Sequence, residues 1–391
     1  MSSGGSPVSD VDSSAIGGSG IDGSGIDNVE PHVPDYQGAC VSNVLPAILE
    51  VPELGGDWLP AATSQARQVV VFVIDGLGWH QLEARRSLTP TMNEMAGGPI
   101  DTVAPSTTAT ALTSICTGVS PGEHGVVGYR IRVGSETLNV LRWTTENGDA
   151  RERIVPASFQ SSDPFLGRTP TVVSRSEFAE SGFSQAHLMG GTFAGYRTTA
   201  SMLVEIEQSI AAGQRLTYAY YDGVDRIGHE YGHGRHFDAE YAFADGLIGA
   251  IIDRLPPEAA LVVTADHGQV HTGDQLHAFH PDVSNLVQAM SGEARFRWLH
   301  CAPGRASDLF DAATAHHGDH AWVRTVDEIV EQGVLGPHVS TEARQRLGDV
   351  AVMARGVGAF LDPSEGGPGL IGRHGSVTPA EVQVPLLYAS T

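Results

Sequence analysis

The sequence predicts a doubly wound α/β fold, with a mostly parallel central sheet flanked by helices. Continuous β-branched runs such as Gln68–Asp75 are typical of strands buried on both faces of a parallel sheet. Segments with apolar residues at helical spacing, such as His236–Leu255, lie between these runs. Strands that alternate with helices along the chain indicate the doubly wound arrangement. With 391 residues, 41% of them hydrophobic, the chain can bury a large core.

Six segments are candidate strands of this fold. Three of them end on an aspartate, namely Gln68–Asp75, Arg215–Asp222 and Ala259–Asp266. Three shorter candidates are Ser184–Gly190, Asp349–Ala354 and Val384–Ser390. Residues at about 130–180 and about 271–372 interrupt the alternation, and we expect both to be insertions over one edge of the sheet.

The N-terminal residues differ in composition from the rest of the chain. Residues 1–36 are rich in Ser, Gly and Asp and cannot bury enough apolar surface to offset the entropy of ordering, so we expect a disordered tail. The remaining residues, 37–391, are expected to form a single domain that carries the two insertions.

Composition and charge narrow the classes of function. The formal net charge is −23 and all 23 Lys or Arg positions are arginine, which argues against broad contact with nucleic-acid phosphates. No run of about 18 apolar residues is present, so no membrane-spanning segment is expected. The N-terminus lacks the basic and apolar segments of a secretory signal, and the three cysteines are widely spaced. We therefore expect a cytoplasmic protein with reduced thiols.

Acidic and imidazole side chains collect where the predicted strands end. Asp75 and Asp266 end two strands, His267 follows Asp266, and Asp225 and His229 follow a third strand. Ligands of open α/β sheets bind beyond the carboxyl ends of the strands, so these residues are candidate site residues. One strand-end aspartate is commonly only a turn or cap residue. Three strand ends with aspartate, two of them close to a histidine, favour a functional site.

The spacing of these residues suits metal coordination. Asp225 and His229 are four residues apart, so on a helix both side chains lie on one face, one turn apart. The alternative for this pair is a polar, solvent-facing role. Adjacent residues such as Asp266 and His267 point in opposite directions on a strand, whereas a turn at Gly268 would allow both to reach one ion.

The segment Val103–Gly118, VAPSTTATALTSICTG, carries seven hydroxyl residues and no charge. Its Ser/Thr-rich start is able to cap a helix, and Gly118 is suited to ending that helix. A helix N-terminus also offers free backbone N–H groups to phosphate oxygens. From the residues alone, the segment is either an ordinary capped helix or the source of a nucleophile.

Five motifs occur in a specific order over about residues 68–390: FVIDGLG, APSTTATALTSICTGVSPGEHGVVG, DRIGHEYG, TADHG and RHGS. Together they resemble the alkaline phosphatase superfamily, and most closely its type I phosphodiesterase/nucleotide pyrophosphatase branch. Each motif alone is weakly specific, but their order and context are specific in combination. The resemblance implies an alkaline phosphatase-like catalytic domain that acts on a small phosphorylated substrate, including nucleotides.

The resemblance also implies two divalent metal ions. The residues that would hold one ion, together with the nucleophile, are Asp75, Asp266 and His267, and those that would hold the other are Asp225, His229 and His374. Mixed carboxylate and imidazole ligands suit Zn²⁺, with Mn²⁺ as the alternative.

In the branch that the chain resembles, the nucleophile is a threonine three residues after a proline. Pro105 then selects Thr108, with Thr107 and Ser106 as alternatives if the register differs. A free threonine hydroxyl is a poor nucleophile, and a divalent ion lowers its pKa. The implied reaction is hydrolysis of phosphodiester or nucleotide pyrophosphate bonds through a covalent phosphothreonine.

The chain departs from the branch just after the nucleophile, where Thr-Phe-Pro-Asn is usual. This chain has Ala109 in place of the Phe and Ala111 in place of the Asn that helps to hold a phosphate oxygen. The candidate replacement donors are Ser106, Thr110, Arg130, Arg132, Arg295 and Arg297. The departure leaves the substrate open among phosphodiesters, phosphoanhydrides and phosphomonoesters.

Alternatives to a phosphodiesterase remain at this stage. A phosphomonoesterase or a phosphomutase of the same superfamily would use the same two ions and nucleophile, although the chain is short for the mutase. A non-catalytic, metal-dependent binding module would not need both the ligands and the nucleophile. The histidines His316, His317 and His320 lie in the second insertion, where a lid, an exposed surface or an additional metal site are the alternatives. The oligomeric state is not specified by the sequence.

Overall fold

The computed structural model describes residues 30–365 and 369–390. Most of the tail expected over residues 1–36 therefore lies outside the described residues. The last residues of that segment are described and contact the domain. Nε2 of His32 lies 2.9 Å from Oδ1 of Asp101, and the hydroxyl of Tyr36 donates to the carbonyl of Val334 at 2.8 Å. Packing against the domain thus begins before residue 37.

Strands and helices alternate over most of the described chain. The strands are β1 (Gln68–Ile74), β2 (Ala96–Asp101), β3 (Arg130–Val133), β4 (Glu136–Asn139), β5 (Thr144–Thr145), β6 (Gly148–Asp149), β7 (Thr171–Arg175), β8 (Thr192–Tyr196), β9 (Leu216–Tyr221), β10 (Ala259–Thr264), β11 (Val270–His271), β12 (Leu276–His277), β13 (Val287–Glu293), β14 (Phe296–Cys301), β15 (Ala321–Thr325), β16 (Val350–Ala354), β17 (Ala359–Phe360), β18 (Gly372–Arg373) and β19 (Gln383–Ser390).

The helices connect these strands. The α-helices are α1 (Val44–Leu49), α2 (Ala61–Gln65), α3 (Trp79–Glu83), α4 (Pro90–Glu94), α5 (Thr108–Thr117), α6 (Pro121–His124), α7 (Gly182–His187), α8 (Thr199–Ala211), α9 (Gly223–Tyr231), α10 (Arg235–Ile252), α11 (Pro281–Ser284), α12 (Ala306–His317), α13 (Val326–Glu331), α14 (Thr341–Arg344) and α15 (Pro379–Val382). Short 3₁₀ helices span Val41–Asn43, Pro52–Gly55, Arg86–Leu88, Pro156–Ser158, Pro164–Gly167 and Ser176–Phe178.

The central sheet contains seven of the described strands, in the order β2-β19-β10-β1-β9-β7-β8. The neighbours from β10 to β8 are parallel to one another, whereas β19 is antiparallel to both β10 and β2. The mostly parallel sheet with flanking helices that the sequence predicts is confirmed.

The middle strands are buried on both faces, as their continuous apolar runs predict. Every residue of Val69–Ile74 in β1 is at most 1% exposed, and all residues of β9 and β10 are buried. Burying one such aliphatic or aromatic side chain contributes about 1.5–3 kcal/mol relative to leaving it exposed. These three neighbouring, buried strands therefore provide a rigid support for the loops that follow their carboxyl ends.

The expected insertions form additional sheets. Residues 130–149 carry the antiparallel sheet β3-β4-β5-β6, and a second antiparallel sheet has the order β13-β14-β16-β15. We refer to residues 279–360 as the inserted subdomain, because they have a separate hydrophobic core that includes Leu299, Val350 and Phe360. Helix α12 packs on β15 within this subdomain.

Three expectations about these segments differ from the structure. Ser184–Gly190 is predicted as a strand, but α7 occupies most of it, because the Ser181 side chain accepts the N–H of Ser184 at 3.0 Å and caps a helix. Asp349–Ala354 does contain a strand, β16, but this strand belongs to the inserted subdomain. The segment at about 130–180 includes β7, a strand of the central sheet, so the first insertion ends before Thr171.

None of the described helices is long and apolar enough to cross a membrane.

Candidate active site

Three neighbouring strands of the central sheet end at the same edge. Val73 of β1 is in register with Thr264 of β10, and Ile74 of β1 is in register with Tyr221 of β9. The residues that follow these strands therefore lie close together. This register explains why aspartates that are almost 200 positions apart in sequence meet in one cluster.

Helix α9 begins directly after β9 and carries Asp225 and His229 on one face, as their spacing predicts. Oδ1 of Asp225 lies 3.3 Å from Nε2 of His229. The N–H of Asp225 donates to the carbonyl of Asp75 at 3.0 Å, which ties α9 to the end of β1. Gly76 permits this approach, since its φ is +75° and a Cβ at this position would lie 2.9 Å from Cα of Asp225.

Four of the expected site residues form one group, which we term site A and define as Asp75, Thr108, Asp266 and His267. The other three residues surround Nε2 of His267. This nitrogen lies 3.1 Å from Oγ1 of Thr108, 3.4 Å from Oδ1 of Asp75 and 3.5 Å from Oδ2 of Asp266. Each member of the group is at most 9% exposed.

The other three expected residues form a second group, termed site B and defined as Asp225, His229 and His374. Oδ1 of Asp225 lies 3.3 Å from Nε2 of His229 and 3.8 Å from Nε2 of His374. The pairing of β18 with β11 brings His374 next to the segment that follows His267. The rings of His267 and His374 stack with centroids 3.5 Å apart, so site A and site B are adjacent.

Backbone carbonyls orient all three imidazoles in the same manner. Nδ1 of His229 donates to the carbonyl of Gly372 at 2.7 Å, and Nδ1 of His374 donates to the carbonyl of Ser106 at 2.9 Å. Nδ1 of His267 lies 3.1 Å from the carbonyl of Gly268. Protons on Nδ1 leave each Nε2 as the nitrogen with a free lone pair, and these Nε2 atoms face the carboxylates.

Burial and crowding disfavour the charges that the side chains of the two sites would carry. Burial raises the pKa of Asp75, Asp225 and Asp266, and for Asp75 the charges of Asp266 and Asp225 raise it further. Burial also lowers the pKa of His267 and His374, so both imidazoles are neutral. Neutral imidazoles beside clustered carboxylates form a donor set that a divalent cation would stabilise.

Two carboxylate oxygens in site A lack partners within the described part of the chain. Oδ1 of Asp75 and Oδ2 of Asp266 are buried without a hydrogen bond, although the second oxygen of each residue has one. Oδ2 of Asp75 accepts from the hydroxyl of Tyr220, and Oδ1 of Asp266 accepts from the N–H of Gly76 at 3.1 Å. A buried acceptor without a partner is costly, and both of these atoms face Nε2 of His267. The residues therefore fit a metal ion at this position.

The hydroxyl-rich segment contributes one side chain to the cluster. Thr108 is the first residue of α5, and this helix ends at Gly118, which has a φ of 74°. Ser106 serves a different purpose, since its hydroxyl donates to the carbonyl of Ser376 at 2.6 Å and accepts from the N–H of Gly375 at 3.3 Å. Among the three candidate hydroxyls, the structure brings Thr108 to within 3.1 Å of the imidazole of His267.

A cavity of about 200 Å³ opens beside the two sites. Asp75, Thr108 and Asp225 line one end of it. The other lining residues are largely apolar or aromatic and include Leu112, Leu141, Phe178, Phe183, Tyr218 and Tyr220. Arg226 also lines the cavity, and its side chain is 61% exposed with one guanidinium nitrogen 3.5 Å from Oδ2 of Asp222.

The arginines considered as replacements for the missing phosphate donor lie elsewhere. Arg295 pairs with Glu381 at 2.7 Å, Arg297 pairs with Glu365 at 2.6 Å, and both arginines are fully buried. Arg130 pairs with Asp362 at 2.7 Å, and Arg132 donates to the hydroxyl of Thr137 at 3.4 Å. None of these four described side chains lines the cavity.

Sequence reasoning missed two contributors to this site. The hydroxyl of Tyr220 donates a hydrogen bond to the carboxylate of Asp75, and Arg226 lines the cavity. Arg226 directly follows Asp225, a predicted metal ligand near the start of a helix. This position is the sequence feature that points to Arg226 as a site residue. For Tyr220 the signal was weaker, since a tyrosine in a buried strand is ordinarily a packing residue.

Comparisons with known proteins identify a family and a shared fold. The family model described as Type I phosphodiesterase / nucleotide pyrophosphatase matches residues 69–376. No curated protein sequence matches the chain at a significant level. Murine ectonucleotide pyrophosphatase/phosphodiesterase 5 is similar in structure, with a TM-score of 0.62, 16% identity, and coverage of 82% of this chain and 87% of that chain. One structure of that protein is an inactive threonine-to-alanine variant in complex with AMP.

A bacterial structure shows a comparable similarity. Phosphonoacetate hydrolase from Sinorhizobium meliloti 1021, in complex with phosphonoformate, has a TM-score of 0.60 and 14% identity, and the match covers 83% of this chain and 90% of that chain. At such low identity, the structural similarities show a shared fold.

Proposed function

The chain belongs to the type I phosphodiesterase/nucleotide pyrophosphatase family and is a phosphoester hydrolase, and we propose that it cleaves phosphodiester or nucleotide pyrophosphate bonds through a covalent phosphothreonine at Thr108. The observation that carries the proposal is the contact between the Thr108 hydroxyl and His267 within site A. Oγ1 of Thr108 lies 3.1 Å from Nε2 of His267 at the end of a cavity that also reaches Asp225 of site B.

Two divalent cations complete the proposed centre. Site A would hold one of them with Asp75, Asp266, His267 and the Thr108 oxygen, and site B would hold the other with Asp225, His229 and His374. When bound, the cations would lower the pKa of the Thr108 hydroxyl and stabilise negative charge on the attacking and leaving oxygens. Neutral imidazoles with carboxylates suit Zn²⁺, and Mn²⁺ is the alternative that carboxylates also favour.

The protein's own residues would carry the reaction in two displacements. In the first, Oγ1 of Thr108 gives up its proton to solvent and bonds to phosphorus while the bond to the leaving oxygen breaks in line. In the second, water bonds to phosphorus, the bond to Oγ1 breaks, and Oγ1 is reprotonated. The N-terminus of α5 presents free backbone N–H groups toward the phosphate oxygens during both steps.

The aromatic cavity supports a nucleotide or another ester with a flat leaving group. Phe178, Phe183 and Tyr220 line a space of about 200 Å³ beside Thr108. Aromatic walls stack well on flat rings. The AMP complex of the murine structural relative is consistent with such a ligand, since that protein shares the fold.

Phosphomonoesters are a second substrate class to test, because Ala111 replaces the asparagine that is usual in this branch. A donor amide at this position is absent, so the chain holds phosphate oxygens with a different set of groups from the usual branch member. A panel of nucleotide pyrophosphates, linear and cyclic diesters and simple monoesters, each with Zn²⁺ or Mn²⁺, would rank the classes by kcat/KM. A higher kcat/KM for monoesters than for every diester and pyrophosphate would overturn the proposed substrate class.

The nucleophile is tested by Thr108→Ala, with Thr107→Ala as the matched control. With bis(p-nitrophenyl) phosphate and Zn²⁺, Thr108→Ala should lose at least about 10³-fold in kcat, because loss of a covalent nucleophile removes the main route of catalysis. Thr107→Ala should keep most of the activity. Rapid acid quenching followed by mass spectrometry should detect the p-nitrophenyl phosphate group on Thr108, because only one of the two p-nitrophenolate groups leaves in the first displacement. Turnover by Thr108→Ala close to that of the wild type would reject the assignment.

A further inference from the structure

A third group of side chains that are able to ligate a metal lies in the inserted subdomain and shares no residue with site A or site B. It consists of His280, Asp282 and His316. His280 and Asp282 lie at the start of α11, and His316 lies in the last turn of α12. The proposed reaction makes no use of these residues.

The geometry of this group matches that of metal ligands. Oδ2 of Asp282 lies 3.1 Å from Nε2 of His316 and 3.5 Å from Nδ1 of His280. Tetrahedral ligands that lie about 2.0–2.1 Å from Zn²⁺ are separated from one another by about 3.3–3.4 Å, and the two observed distances bracket this value. The two imidazole rings stack with centroids 3.6 Å apart, so both present a nitrogen to one side of the carboxylate.

Buried neighbours hold these side chains in place. His317, which is 6% exposed, accepts the backbone N–H of His280 on its Nε2 at 3.2 Å. The ring of His317 in turn packs edge-on against Phe279 and Phe360 in the core of the subdomain. The backbone of His280 and the end of α12 are thereby fixed relative to each other before any ion binds.

The ligand atoms are nevertheless open to solvent. The side chains of His280, Asp282 and His316 are 43%, 65% and 33% exposed. Nδ1 of His280 also accepts the backbone N–H of Asp282 at 3.2 Å, a long hydrogen bond that an ion would replace. Water can therefore reach the remaining coordination position.

We propose that His280, Asp282 and His316 form a third divalent-metal site, which binds Zn²⁺ or a similar transition metal ion and joins α11 to the end of α12. Two imidazoles with one carboxylate prefer such ions to Mg²⁺ or Ca²⁺, which favour oxygen ligands. An ion bound there would stabilise the folded subdomain by mass action.

Metal stoichiometry tests the site directly. The wild-type protein and the His316→Ala and Asp282→Asn variants would be stripped with chelator, dialysed against ZnCl₂ and assayed for bound zinc by elemental analysis. Both variants should bind one ion fewer than the wild type. His338→Ala, which removes an exposed histidine outside the group, is the matched control and should bind as many ions as the wild type.

A titration with CoCl₂ gives a second measurement. Visible absorption reports how much Co²⁺ is bound. For one class of sites, the cobalt concentration at half saturation should be at least tenfold higher in His316→Ala than in the wild type. Asp282→Asn keeps the shape of the side chain, and circular dichroism verifies that each variant is folded. Equal zinc content and identical cobalt titrations in wild type and both folded variants would overturn the proposal. If the wild type binds one zinc ion and both variants bind none, site A and site B hold no zinc. That result would contradict the proposed function and support the third site.

Discussion

The hydroxyl oxygen of Thr108 lies 3.1 Å from Nε2 of His267, a contact between the first turn of α5 and the loop that follows β10. The two residues are 159 positions apart in sequence, and the fold places the first residue of α5 beside the residues that follow β10. The contact puts a hydroxyl next to two buried carboxylate oxygens without hydrogen-bond partners in the described chain. A side chain that serves only as a helix cap would not need this environment.

A conservative change at the nucleophile should preserve the reaction. Thr108→Ser keeps the oxygen and removes the methyl group, so we expect it to retain far more activity than Thr108→Ala and still to form a covalent adduct, in which the serine oxygen carries a p-nitrophenyl phosphate group. The measurement is steady-state turnover of bis(p-nitrophenyl) phosphate, together with mass spectrometry of acid-quenched protein. Activity of Thr108→Ser as low as that of Thr108→Ala, with both proteins folded and loaded with metal, would argue against attack by this oxygen.

Arg226 should favour substrates whose leaving group carries negative charge. Arg226 lines the cavity, its side chain is 61% exposed, and its ion pair with Asp222 is long, at 3.5 Å, so a second phosphate can compete for the guanidinium. Hydrogen bonds to charged groups contribute about 1.5–3 kcal/mol, which corresponds to a roughly 10- to 100-fold change in affinity. Arg226→Ala should therefore raise KM by about this factor for a nucleotide pyrophosphate and much less for bis(p-nitrophenyl) phosphate.

The matched control for this prediction is Arg254→Ala. Arg254 pairs only loosely with Glu207, at 3.8 Å, and does not line the cavity. This variant should leave both KM values unchanged. If Arg226→Ala raises KM equally for the nucleotide pyrophosphate and for bis(p-nitrophenyl) phosphate, the arginine does not select for a charged leaving group.

A side chain at position 76 should disturb both metal sites. Gly76→Ala would place a Cβ 2.9 Å from Cα of Asp225, in a backbone conformation with a φ of +75° that alanine disfavours. We expect a lower melting temperature and the loss of bound zinc, because α9 must shift away from β1. The comparison variant is Gly213→Ala, which also has a positive φ but meets no atom within 4 Å. If only the strain of a positive φ matters, both variants will lose stability equally and both will keep their zinc.

The parts of the site that the sequence predicts are those determined by local spacing. Asp225 and His229 lie on one helix face because they are four residues apart, and Asp75 and Asp266 meet because both follow strands of one parallel sheet. Position relative to a strand end is visible in sequence, since long β-branched runs mark the strands. The predicted ligand residues therefore lie together in the structure.

The parts that the sequence does not predict depend on tertiary packing. Strand β2, AGGPID, has few β-branched residues and forms an edge of the sheet by pairing with β19, so its own composition gives no strand signal. Phe178 lines the cavity from the end of the 3₁₀ helix Ser176–Phe178, and Phe183 lines it from α7, which overlaps the segment Ser184–Gly190 that is predicted as a strand. The arginines in the insertions are conspicuous in sequence, but two of them form ion pairs away from the cavity. Arg295 pairs with the buried Glu381, and Arg297 pairs with the partly exposed Glu365.

The buried carboxyl of Glu293 should make stability depend on pH. Burial raises the pKa of Glu293 to about 8, and its side chain has one contact with a backbone N–H, in which Oε2 accepts from Tyr129 at 2.8 Å. Oε1 has no hydrogen-bond partner within the described chain. The residue is therefore neutral in the folded protein at neutral pH and ionised in the unfolded chain.

The sign of the effect follows from proton binding. Between the ordinary glutamate pKa of about 4.3 and the folded value of about 8, the folded state holds a proton that the unfolded state has lost. The free energy of unfolding therefore falls as the pH rises through this window, at about 1.4 kcal/mol per pH unit for this residue. Glu293→Gln has nothing to titrate, keeps an oxygen to accept from Tyr129 and should avoid this loss.

Melting temperatures of wild type and Glu293→Gln, both saturated with Zn²⁺, should be compared at about pH 5 and about pH 8. We expect the advantage of Glu293→Gln over wild type to grow between these two values and to level off above the folded pKa. Glu331→Gln, at an exposed position of α13, is the control and should differ from wild type by the same small amount at both values. A Glu293→Gln difference that is constant with pH would mean that Glu293 is ionised in the folded protein, where it would need a cationic or donor partner for Oε1.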